Sequence, residues 1–97
     1  MSRVADLQRI IEYNKDLDDV LTTFNLAHIR MYIGSERPYE VHLGPGRPSL
    51  LVTLVPLPEK QVRLIIMPIG MIKATSIQVI PEILLKQKLM RFFKEIA

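Results

Sequence analysis

Five polar residues on a predicted β-hairpin are the part of this sequence best suited to chemistry. Strand alternation places His28, Arg30, Tyr32, Glu40 and His42 on one face, with Arg30 opposite His42 and Tyr32 opposite Glu40 if the turn centres near position 36. Imidazole titrates near neutral pH and arginine grips oxyanions, so such a face could bind a phosphate or a metal, or transfer protons. Cross-strand charge pairs are also common on solvated sheets, and no third metal ligand or oriented nucleophile is apparent. We therefore interpret the group as a solvated sheet face and predict no catalytic residue, metal site or cofactor.

A Gly-Pro-Gly-Arg-Pro segment at 44–48 follows this hairpin. Gly46, Arg47 and Pro48 resemble the Gly-Arg-Pro core of AT-hook peptides, which lay an arginine in the minor groove of DNA. The resemblance covers these three residues, and the flanking bases of such peptides are missing. Because prolines fix φ and glycines allow conformations that other residues avoid, we interpret the segment as a rigid connector between strands.

The C-terminal segment combines apolar and basic residues at helical spacing. Leu89, Phe92 and Phe93 resemble the aliphatic and aromatic positions of a sliding-clamp-binding box, with Lys86 where that motif has glutamine. The resemblance implies a docking contact with a protein partner. Lys86 and Arg91, with the neighbouring lysines, could instead form a basic ridge for nucleic acid or an acidic partner. The same spacing is what a helix packed on a core requires, and this is the interpretation we favour.

Hydrophobic periodicity predicts the elements that carry these residues. Apolar positions from 4 to 24 indicate one helix bent near Asn14, or two short helices. The strands are predicted at 27–33, 39–43, 49–55 and 62–67, with a fifth at 75–80 left open. The two runs at 49–55 and 62–67 are nearly continuous and are expected to be buried on both faces. Pro81 is expected to begin a last helix with an inward stripe of Leu85, Leu89, Phe92 and Ile96.

The predicted fold class is α+β. Its order is α-β-β-β-β-α, an antiparallel meander of four or five strands with the N- and C-terminal helices packed on it, in one small domain spanning 1–97. The first strand is expected to point Ala27, Ile29, Met31 and Ile33 toward the core.

Size and composition narrow the function classes. A chain of 97 residues supports one core, and 48% apolar residues exclude the composition of disordered proteins. So much apolar surface is hard to bury in a short monomer, which predicts a homo-oligomer, a dimer formed through the open sheet face and the final helix. The absence of cysteine removes disulfides and thiolate sites. The N-terminus lacks the pattern of a signal peptide and the window 64–72 is too short to span a bilayer, so we expect an intracellular, cytoplasmic protein without membrane contact.

Three functions remain open. We favour a non-enzymatic protein–protein interaction module, a homodimeric adaptor or accessory subunit. The sequence has more apolar residues than a short monomer easily buries, and it has no set of residues typical of a catalytic site. The net charge of +3 leaves nucleic-acid binding as the alternative. That surface would use the C-terminal bases and the arginines at 30, 37, 47 and 63. An enzyme using His28, Glu40 and His42 is the third and least favoured hypothesis.

Overall fold

Two helices flank a five-stranded antiparallel sheet whose strand order in space follows the order in the chain. The structure, a computed structural model, describes residues 3–30, 38–70 and 72–96. The elements are helix α1 (Arg3–Thr23), strands β1 (His28–Arg30), β2 (Tyr39–Val41), β3 (Leu50–Leu57), β4 (Gln61–Pro68) and β5 (Ser76–Pro81), and helix α2 (Leu85–Ile96). The predicted meander with a helix at each end is confirmed, and the fifth strand is present.

Both helices pack on the same face of the sheet. Directly paired residues share a face, and the register pairs Val52 with Ile66 and Leu54 with Leu64. The residues on this face and those on the inner sides of the helices form one buried cluster. The helices contribute Tyr13, Leu17, Val20, Leu21, Leu85, Leu89 and Phe93 to it. The core therefore lies between one layer of helices and one layer of sheet.

Helix α1 is continuous through the segment where a break was one of the alternatives. Asn14, a poor helix former, is only 7% exposed, so tertiary packing holds a residue that local propensity disfavours. The helix ends in a Schellman motif: Asn25 has φ of 56°, the Leu26 N–H donates to the Leu21 carbonyl at 2.9 Å, and the Asn25 N–H donates to the Thr22 carbonyl at 3.0 Å. Asparagine is one of the few residues other than glycine that tolerates this left-handed conformation.

The start and the inward stripe of α2 differ from the sequence prediction. Pro81 is the last residue of β5, and a 3₁₀ turn at Glu82–Leu84 precedes α2. Leu85, Leu89 and Phe93 are fully buried, whereas Phe92 and Ile96 are half-buried at the edge of the core. The helix starts later than predicted, and its inward stripe has four-residue spacing, so that Phe93 is buried instead of Phe92.

Candidate functional site

The pairing of β1 with β2 divides the predicted polar face of the hairpin. The observed register places His28 opposite Val41, Ile29 opposite Glu40 and Arg30 opposite Tyr39. The predicted pairing of Arg30 with His42 was therefore wrong by three residues. An odd shift moves every side chain of one strand to the other face relative to its partner, so His28 and Arg30 share one face while Glu40 lies on the opposite one.

His28 and Arg30 belong to the helical side of the sheet. The His28 Nε2 atom is 3.3 Å from Asp18 Oδ1, and its Nδ1 atom is 2.9 Å from the Leu26 carbonyl. The ring stacks on Tyr39 with centroids 5.8 Å apart. Arg30 donates to the Tyr39 hydroxyl through Nη2 at 2.6 Å and Nε at 3.2 Å. Burial raises the pKa of Tyr39, and the Arg30 guanidinium partly offsets that shift. These contacts join β1 and β2 to α1.

The expected inward side of β1 was also wrong. Ile29 is 59% exposed, because its face of the sheet is the one without helices among the described residues. Met31 and Ile33, the other apolar residues of that expectation, lie outside the described residues, as does Tyr32.

The remaining histidine of the hairpin has a local contact. His42 Nδ1 is 3.1 Å from the Ser49 hydroxyl, which joins the end of β2 to the start of β3. Within the described ranges, no three His, Cys, Asp or Glu side chains lie close enough to hold a metal ion. The described polar residues of the hairpin thus do not form one group.

The predicted docking residues of α2 are mostly in the core. Leu89 and Phe93 are fully buried, and Phe92 meets the Phe93 ring edge-on with centroids 5.0 Å apart. Lys86 pairs with Asp19 of α1 at 3.3 Å, while Arg91 is exposed. The structure agrees with the core interpretation of this segment.

The described basic residues of the nucleic-acid alternative lie on different sides of the molecule, and Arg37 lies outside the described residues. Arg47, in the connector between β2 and β3, donates from Nη2 to the Ile96 carbonyl at the end of α2. Arg63 lies on β4 opposite Val55 and Val79, on the sheet face away from the helices. Lys86 and Arg91 lie on α2, on the helical side.

A partly buried clamp that the sequence did not indicate joins α1 to the chain after β5. Arg9 Nη2 donates to the Leu57 and Gln61 carbonyls at 2.8 and 2.7 Å, the two ends of the β3–β4 turn. Arg9 Nε lies 3.2 Å from Glu82 Oε2 and 3.1 Å from the Tyr13 hydroxyl. The Tyr13 hydroxyl donates to the same Glu82 oxygen at 2.6 Å. Because Arg9 and Glu82 are 73 residues apart, no local pattern could have revealed the pair.

Burial and hydrogen bonds together shift the pKa values of the clamp residues. Burial and the hydrogen bond to Glu82 raise the pKa of Tyr13 to about 12. The Tyr13 hydrogen bond and the Arg9 guanidinium lower the pKa of the Glu82 carboxyl against the opposing effect of burial. A surface pocket of ≈ 520 Å³ adjoins the clamp, lined by Glu12, Tyr13, Asp16, Glu59, Lys60, Pro81, Glu82 and Ile83.

The second face of the sheet, which we call the open face, carries mostly apolar side chains among the described residues. No described helix packs on it. Ile77 and Val79 of β5 are 63% and 52% exposed. Half-buried side chains continue this surface across β3 and β4, namely Leu51, Val55, Ile65 and Met67. The small side chain of Thr53 lies between them and is 7% exposed.

The open face corrects the expectation that β3 and β4 are buried on both faces. Their sequences are nearly continuous in apolar residues, yet only alternate residues belong to the buried core, and of the others only Thr53 is buried. A contiguous apolar patch on an uncovered face, unlike a single exposed side chain, is typical of a contact with another molecule. The face carries two charges among its described residues, Glu40 on β2 and Arg63 on β4, and neither has an ion-pair partner within the described ranges.

No protein-family model, curated protein or solved structure matches the chain, so its function has to be inferred from the geometry. None of the described helices is long and apolar enough to cross a membrane.

Proposed function

We propose that the protein is a non-enzymatic interaction module that forms a homodimer through its open face. The observation that supports this most strongly is a sheet with helices on one side and apolar residues on the other. Antiparallel sheets normally alternate apolar and polar residues when one face meets water. Here Leu51, Ile65 and Ile77 occupy positions where a solvated face would have polar residues.

A second copy is the occupant that best fits this face. Most homo-oligomers are closed two-fold dimers in which the same patch is used twice, and apolar residues without a fixed polar pattern suit such a contact. Three neighbouring strands, β3 to β5, contribute to this face, so two copies would pack sheet on sheet as in a β-sandwich. The helical layer stays exposed in this dimer and is the surface that a further protein partner would contact.

Nucleic-acid binding receives less support. Its bases lie on both sides of the sheet, and Lys86 and Arg47 are engaged in contacts within the chain. A nucleic-acid surface usually gathers its bases on one side, where they neutralise consecutive phosphates.

Replacing Ile77 with aspartate tests the proposal. Full burial of an isoleucine is worth about 1.5–3 kcal/mol, and Ile77 is 63% exposed, so burial at an interface returns about 1–2 kcal/mol per copy. Aspartate loses that gain and adds a carboxylate that would have to be desolvated. We expect Ile77→Asp to weaken self-association at least 100-fold, measured as mass in solution by light scattering across a concentration series.

Ile83→Asp is the matched control. Ile83 is 87% exposed but lies in the 3₁₀ turn before α2, away from the open face, so this variant should associate like the wild-type chain. Equal association of all three proteins would contradict the proposal. A labelled mixed-sequence oligonucleotide, followed by anisotropy at two salt concentrations, tests the alternative: salt-sensitive binding by a monomer would replace the dimer proposal with nucleic-acid binding.

A further inference from the structure

The two charges of the open face have opposite signs and lie on either side of its centre. Glu40 pairs with Leu51 of β3, and Arg63 pairs with Val55 of the same strand. Thr53 lies on β3 between Leu51 and Val55. Glu40 thus lies on the strand to one side of β3, level with the residue two positions before Thr53. Arg63 lies on the strand to the other side, level with the residue two positions after Thr53. With ordinary strand spacing and rise, the two residues are about 16 Å apart and Thr53 lies at their midpoint.

We infer that the two-fold axis of the homodimer passes over Thr53 and pairs Glu40 with Arg63 of the partner subunit. This inference rests on the proposed function, since it specifies how the two open faces meet. A two-fold axis in the plane between the sheets, perpendicular to the line from Glu40 to Arg63, exchanges the positions of these two charges. The dimer then contains two reciprocal ion pairs, and each of these charges, which has no ion-pair partner among the described residues of its own chain, gains one in the other.

The same axis fixes the mode of sheet packing. Strands of the two copies cross at about 70°, close to the orthogonal class of stacked sheets and far from the aligned class at about 30°. Leu51 then lies over Ile65 of the partner subunit, and Ile65 lies over the partner's Leu51. Apolar residues therefore meet apolar residues at the centre, and the charges meet toward the rim. An aligned packing would leave Glu40 and Arg63 facing apolar side chains, which costs desolvation without a compensating pair.

Charge reversal at these two positions tests the axis. In a dimer of Glu40→Arg chains, an introduced arginine faces Arg63 of the partner subunit twice, and Arg63→Glu similarly sets two carboxylates against Glu40. We expect each single reversal to raise the dimer dissociation constant at least tenfold, measured by sedimentation equilibrium at low salt, with a smaller effect at high salt. The double variant Glu40→Arg with Arg63→Glu restores opposite charges and should return to within about threefold of the wild-type value.

Mixing the two single variants gives a sharper result. One chain then has two bases on the open face and the other has two acids, so both ion pairs form only in the heterodimer. We expect a heterodimer at least tenfold tighter than either homodimer. Both residues are at least partly exposed, so the single variants should fold, and far-ultraviolet circular dichroism checks this. Glu95→Arg, an exposed reversal on α2, is the control and should leave association unchanged.

The outcomes separate this inference from the function on which it rests. Rescue by the double variant and preferential heterodimer formation support the axis. A wild-type dimer that is lost in Ile77→Asp but is insensitive to both charge reversals would overturn the axis and leave the open face as the interface. A wild-type monomer would overturn both.

Discussion

Replacing Tyr13 with phenylalanine removes one oxygen from the clamp between α1 and the chain after β5 and keeps the ring in the core. The hydroxyl donates to Glu82 at 2.6 Å and accepts from Arg9 at 3.1 Å. Hydrogen bonds to charged groups contribute about 1.5–3 kcal/mol each to stability. Because Arg9 and Glu82 still contact each other in the variant, we expect Tyr13→Phe to lower the free energy of unfolding by about 1.5–3 kcal/mol near pH 8.

The pH dependence of this loss is a more specific prediction. The pKa of Tyr13 rises from an ordinary 10.0 to about 12 in the folded protein. Between these values the unfolded chain releases the phenolic proton while the folded chain keeps it, so the stability that the hydroxyl provides is fully present below pH 10 and falls as the pH rises. Two pKa units correspond to about 2.7 kcal/mol, with burial of the phenol as the largest cause and the hydrogen bond to Glu82 as the next. The stability advantage of the wild-type chain over Tyr13→Phe should therefore be nearly lost by about pH 12.

Urea unfolding followed by circular dichroism at several pH values from 8 to 11.5 measures this difference, at one protein concentration because association also affects stability. Lysines and the other tyrosines titrate in both proteins, so their contributions cancel in the comparison. Ultraviolet titration of tyrosinate gives a second measurement, since the variant should lack the phenolic step near pH 12. A difference in unfolding free energy that stays constant from pH 8 to 11.5 would refute the raised pKa of Tyr13, which its burial and its hydrogen bond to Glu82 produce together.

Two further substitutions test other parts of the structure. Glu82→Gln should cost stability at neutral pH and approach the wild-type chain as the pH falls below the ordinary glutamate pKa of 4.5, because the pKa of Glu82 is lowered in the folded state and its stabilisation is lost as the carboxyl is protonated. Acid unfolding curves of both proteins measure this, and a constant difference would contradict it. Leu89→Ala should cost about 2–5 kcal/mol by leaving a cavity in the core, as determined by urea unfolding. Arg91→Ala, two residues further on an exposed surface, should change stability by less than about 0.5 kcal/mol, and equal losses in the two variants would place Leu89 outside the core.

The elements that followed from the sequence are those in which one pattern dominates. Tyr39 and Val41 alternate with polar neighbours on the predicted strand 39–43, and both are buried. The four-residue spacing of Leu85 and Leu89 likewise placed both in the core. Local pattern is sufficient in these places because one face of each element meets the core and the other meets water.

The parts that the sequence could not reveal depend on distant contacts. The register of β1 and β2 depends on the number of residues in the turn between them, and an odd error exchanges the faces of His28 and Glu40. The clamp between Arg9 and Glu82 requires the ends of the sheet and both helices to be in place. The continuous apolar runs of β3 and β4 predict strands, but they do not distinguish a face covered by helices from one that awaits a second chain.

Absolute mass in solution tests the central proposal most directly. Light scattering over a concentration series at low and moderate salt should give twice the 11.2 kDa mass of one chain for the wild-type protein and the mass of one chain for Ile77→Asp. A wild-type protein that stays at the mass of one chain over the whole series would contradict the open face as a homodimer interface.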